Sequence, residues 1–157
     1  MNTYEPHVFV LPEDDANRQL ADGFRLEVAR FQQMRVLRVA HGWRRVLELF
    51  KSLHVAEMDR NSKRFMVLLL DFDDQPERLD LVKADIPPGL ADRVFVLGAR
   101  TEPEDLKKAR LGSYEAIGLA MAKDCREETD TIWGHPLLQH NASELARLRQ
   151  HVRPILF

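Results

Sequence analysis

Two short runs of carboxylates carry the residues best suited to chemistry: Glu13-Asp14-Asp15, and Asp71-Phe72-Asp73-Asp74. Each follows directly on an apolar run. Carboxylates gathered at one point repel unless a proton or a cation neutralises them. A set of oxygen ligands selects a hard ion, so Mg²⁺ or Mn²⁺ is the expected occupant. Asp71 and Asp73 lie two residues apart where a strand ends, and both are expected to face the same rim. Asp74 has a structural use instead. With Glu77 it has N-cap and N3 spacing, and Pro76 falls in the first turn of the helix it would open. Asp14 or Asp15 can likewise cap a first helix. Glu13, Asp71 and Asp73 have no such use, and acids ending an apolar strand are costly without a ligand.

Cations are unevenly placed around these acids. Residues 1–29 hold two arginines against six acids, and residues 30–64 hold nine lysines and arginines against three acids. Arg18, Arg44, Arg45, Lys51 and Arg100 are the candidates for tracking a phosphate backbone. An ordinary solvated helix face accounts for Arg44 and Arg45 as well. Arg100, after a strand, is the better placed. The six histidines show no metal-binding spacing, although His41 falls at the same rim. No nucleophile elbow, phosphate-binding loop or dinucleotide fingerprint occurs. The single cysteine, Cys125, has no neighbouring histidine and no partner thiol.

The elements that must position these residues alternate between strand and helix. His7–Leu11 reads as a strand stopped by Pro12, and residues 14–33 as a helix with Ala16, Leu20, Phe24, Val28 and Phe31 on one stripe. Met34–Ala40 is a second strand, followed by Gly42 and a helical face of Trp43, Val46, Leu47 and Phe50. Arg64–Leu70 is unbroken in its apolarity, as in a central strand covered on both faces. A helix from Asp74 buries Leu79, Val82 and Ile86. Arg93–Leu97 is the fourth strand. Thr101 and Glu104 open a helical turn, residues 112–123 form a helix, and Asn141 with Glu144 opens the last one. This order predicts an α/β fold: a mostly parallel open sheet of about four strands, Rossmann-like, with helices on both faces.

A Glu just after the first strand, followed by Asp-x-Asp after the third, resembles the Toprim domain of topoisomerases, primases and OLD-type nucleases. The resemblance spans roughly residues 7–125. It implies Glu13 as general acid/base and metal ligand, Asp71 and Asp73 as the metal pair, and Mg²⁺-dependent cleavage of phosphodiester bonds in DNA or RNA. It is further compatible with a small standalone nuclease or with one subunit of a host-defence or DNA-processing system, where a protein such as an ATPase is a possible partner. Two positions depart from the nuclease pattern. Asp14 stands where Gly often follows the Glu, and Asn17 stands where a further Asp would be sought. A non-catalytic Toprim-like module binding nucleic acid or protein is the alternative. A receiver-like domain with Asp71 as phosphoacceptor is disfavoured by Gly98-Ala99, which stand where a hydroxyl residue would be needed.

The 157 residues predict one domain, with 126–157 as a C-terminal loop and helix extension. Hydrophobic residues make up 45% and charged residues 31%, which excludes a mainly disordered chain. The net charge of −2 argues against a uniformly basic nucleic-acid coat. No apolar run is long enough to cross a bilayer and no secretory signal is evident, so a cytoplasmic location is expected.

Overall fold

The computed structural model describes all 157 residues. Four strands, β1 (His7–Pro12), β2 (Met34–Val36), β3 (Arg64–Leu69) and β4 (Val94–Leu97), form one all-parallel sheet in the order β2-β1-β3-β4. Parallel neighbours need helical crossovers. These are α1 (Asp15–Leu26), then α2 (Trp43–Leu49) and α3 (Val55–Arg60) joined by a π-helical turn, and α4 (Glu77–Ala84). Four helices follow β4: α5 (Pro103–Lys108), α6 (Tyr114–Glu127), α7 (Ala142–His151) and α8 (Arg153–Leu156). The fold class expected from the sequence is the one observed.

Strand alternation divides the apolar side chains between two cores. Val8, Val10, Val67, Phe95 and Leu97 face one side with Leu20, Ile117, Leu148 and Leu156 from α1, α6, α7 and α8. Phe9, Leu11, Met66, Leu68, Val94 and Val96 face the other, under Val46, Met58 and Val82 of α2, α3 and α4. Burying each such side chain stabilises the fold by roughly 1.5–3 kcal/mol. The residues after 126 are therefore part of the first core. Helices α1 and α6 approach closely, and a Cβ at Gly118 would run into the Leu20 carbonyl.

Several boundaries differ from those expected. The helix predicted over 14–33 ends at Leu26, and Phe31 is exposed in a separate 3₁₀ turn. β2 pairs for three residues, not seven. Beyond it, the Leu37 N–H still donates to Val10 O (2.8 Å) and the Ala40 N–H to Pro12 O (2.9 Å). Three residues thus span the advance β1 makes in two, a bulge that ends regular pairing. Asp74 does not cap a helix. It has φ 57°, its N–H donates to Arg100 O, and α4 begins only at Glu77 behind Pro76. Glu102 rather than Thr101 precedes α5, and Ser113 caps α6 through the Ala116 N–H. Pro154 does not stop the last helix but sits in the first turn of α8.

Candidate functional site

The strand order turns at its middle. β1 leads outward to β2, whereas β3 leads outward to β4 on the other side. In open α/β sheets the crevice beyond the strand ends at such a reversal is where ligands bind. Glu13 follows β1 directly and Asp71 follows β3 after Leu70, so both fall at this crevice. The Glu13 N–H donates to Leu69 O (2.8 Å), extending the β1–β3 ladder past Pro12. The Asp71 N–H then donates to Glu13 Oε2 at 2.7 Å. Two of the acids chosen from the sequence are therefore joined, 58 residues apart in the chain.

Asp71 is 7% exposed. Burial, reinforced by the nearby charges of Glu13, Asp14 and Asp73, pushes its carboxyl up to about 8, against the opposing pull of one hydrogen bond from Asn17. Burial also raises Glu13, with Asp14 and Asp73 adding to it, while the Asp71 amide and Arg78 oppose the rise. Asn17 is completely buried. Its Nδ2 donates to Asp71 Oδ1 (2.8 Å) and to Asp14 Oδ1 (3.1 Å), whereas its Oδ1 has no partner. Asp14 in turn caps α1, accepting from the Asn17 N–H at 2.9 Å. The result is an acidic cluster, buried at Asp71 and Asn17 and half-buried at Glu13 and Asp14, in which the Asn17 Oδ1 has no partner.

Asp73 takes a different direction. It is half exposed and pairs with Arg78 at 2.8 Å. Arg78 lies on α4, is itself 5% exposed, donates to the Asp71 carbonyl at 2.6 Å and stacks on the Trp43 ring. Its Nε has no partner. Asp73 and Asp74 are both left-handed, at φ 49° and 57°, and His41 on the facing loop has φ 65°. Consecutive non-glycine residues in this region are held there by their surroundings, and such strain collects at functional sites. The His41 N–H donates to Glu13 O at 2.7 Å, so this loop braces Glu13 through its backbone.

Arg78 was not singled out in the sequence. Its signal is a charge four residues before buried Val82, inside the inward stripe of α4. The cations proposed for phosphate contact are exposed, except the half-buried Arg18, and mostly paired with neighbours. Arg18 bonds Asp15 and Asp22, Arg45 bonds Glu48, Arg100 bonds Asp74, Lys51 bonds Asp85, and Arg44 stacks on Trp43. Of these, Arg100 stands closest in structure to the acidic loop, since its own carbonyl accepts from the Asp74 N–H at 2.8 Å. Cys125 is buried, and burial pushes its thiol up to about 11, which removes it as a nucleophile.

An oxygen-only set of Glu13, Asp71 and the unpartnered Asn17 Oδ1 has the chemistry of a hard-cation site. No three or more histidine, cysteine, aspartate or glutamate side chains converge closely enough to encircle one ion, and Asp73 pairs with Arg78. Comparison with family models, curated proteins and solved structures finds no match to this chain.

Proposed function

We propose that this chain is a divalent-cation-dependent, Toprim-like phosphodiesterase that cleaves nucleic acid at the β1–β3 crevice. The observation that carries the reading is the Glu13–Asp71 contact at the switch point, with both carboxyls raised and Asn17 Oδ1 idle beside them. The contact runs from the Asp71 N–H to the Glu13 carboxylate, and burial with the charges of Glu13, Asp14 and Asp73 raises Asp71, a cost that a cation at this rim would relieve. Glu13, Asp71 and Asn17 would hold Mg²⁺ or Mn²⁺, which supplies charge neutralisation on the phosphate and a more acidic bound water. Glu13, raised by burial, is suited to take the proton from the attacking water. A bound cation would favour the ionised form of Asp71, whose carboxyl burial and acidic neighbours otherwise push up to about 8. Arg100 and Arg44, exposed nearby, are the side chains to exchange their present partners for backbone phosphates.

Labelled single- and double-stranded DNA and RNA, incubated with Mg²⁺, test the proposal. Glu13→Gln and Asp71→Asn are expected to lower the cleavage rate by about 100-fold or more without lowering the unfolding temperature. Undiminished cleavage by Asp71→Asn, or cleavage unaffected by chelation, would remove it. The pairing of Asp73 with Arg78 favours a second reading, a non-catalytic module that binds nucleic acid or a partner protein. Salt-sensitive nucleic-acid binding with no cleavage under any divalent ion is its signature.

A further inference from the structure

Most ion pairs at this rim are exposed on both sides and can part without penalty: Arg18 with Asp15, Arg45 with Glu48, Arg100 with Asp74. Arg78 differs. Its side chain is 6% exposed, it stacks on Trp43 at 4.7 Å, and it holds the Asp71 carbonyl as well as Asp73 Oδ2. A guanidinium keeps its charge at any physiological pH, and a buried charge needs a fixed partner. The only carboxylate in contact with it is Asp73. Moving Asp73 onto a metal ion would strand that buried cation, whose Nε already lacks a partner.

Asn17 offers the complementary vacancy in the donor set. Its Nδ2 is fixed by Asp14 and Asp71, which orients the amide, and its completely buried Oδ1 accepts nothing. A buried acceptor without a donor calls for a partner, and a cation beside Asp71 is one. Building on the proposed cation-dependent function, we infer that Arg78 is the permanent counter-cation of Asp73. The rim therefore takes a single divalent ion on Glu13, Asp71 and the Asn17 amide oxygen, with Asp73 outside the ligand set. Arg78 acts as a positioning residue: it donates to the Asp71 carbonyl and holds the left-handed Asp73, keeping that carboxylate occupied.

Two measurements on the full chain test this. The first counts Mn²⁺ by electron paramagnetic resonance and calorimetry. Wild-type protein is expected to bind one ion, and Asp73→Asn to keep that affinity within about threefold. Asn17→Ala should weaken it roughly tenfold or more. Arg78→Met, which retains the stem against Trp43, should free Asp73 and tighten binding or add an ion. An Asp73→Asn variant that loses affinity as severely as Asp71→Asn would overturn the inference. The second is metal-free. Arg78→Met should lower the unfolding temperature, and adding Asp73→Asn should restore part of the loss. Strictly additive effects would overturn the pairing. If wild type takes up no Mn²⁺ while this coupling is present, the phosphodiesterase reading fails and the Arg78–Asp73 pairing stands. If Arg78→Met does not fold, the Asp73→Asn titration alone decides the ligand set.

Discussion

At Asp71, burial works against the charge of the carboxylate. Its carboxyl ordinarily titrates near 3.8 and is pushed up to about 8 in the fold, chiefly by burial and then by Glu13, Asp14 and Asp73. Between those two values the folded chain keeps a proton that the unfolded chain releases. Stability contributed by this group is therefore full below about 3.8, falls as pH rises through the window, and levels off above about 8. Asp71→Asn keeps the acceptor for Asn17 and removes the charge. The variant should be more stable than wild type at pH 8 by about 1–3 kcal/mol, with the gap closing toward pH 4, as read from urea unfolding across pH. A gap independent of pH would mean that Asp71 is not the strained group. Glu13 and Asp71 were legible in the sequence because each is the acid that an apolar strand delivers to its carboxyl end. Asp73 with Arg78 was not. Its direction depends on Asp74 extending the β3–β4 ladder through Arg100 O instead of capping α4, a tertiary choice that capping spacing alone does not reveal.

Among the elements, β4 poses a problem of its own, because it is an edge strand with unpaired backbone groups on its outer side. Helix α7 and the residue before it close that edge with side chains. Asn141 Nδ2 donates to Gly98 O (2.9 Å) and its Oδ1 accepts from the Gly98 N–H (3.1 Å). Glu144 Oε2 accepts from the Val96 N–H (3.0 Å), and Arg147 donates to Val94 O (3.4 Å). Helical residues three apart thus match strand residues two apart, and the helix serves as a substitute strand. Glu144 is almost fully buried and is also paired with Lys83 and Arg147. Glu144→Ala should cost about 3 kcal/mol and speed hydrogen exchange at the Val96 amide. Unchanged exchange there would contradict this role. The sequence placed Asn141 and Glu144 at a helix start, which is correct. It assigned them to capping because nothing local indicates that an open strand edge lies opposite.

For the whole molecule, alternating strands and helices made the parallel class legible, but not the neighbour order. That order decides the site, since only β1 beside β3 brings Glu13 to Asp71. The six-residue β1–β3 register fixes this approach, and Gly98 lets β4 close against it, because a Cβ there would collide with the Leu70 carbonyl. No helix is long and apolar enough to cross a membrane. The claim that everything at the rim depends on is that Glu13 and Asp71 are held together for a divalent ion. Its most direct test is a crystal soaked in Mn²⁺, with data collected at the manganese absorption edge. A single anomalous peak bounded by Glu13, Asp71 and Asn17 is the expected result. An empty crevice at saturating Mn²⁺, with the Glu13–Asp71 contact intact, would contradict it.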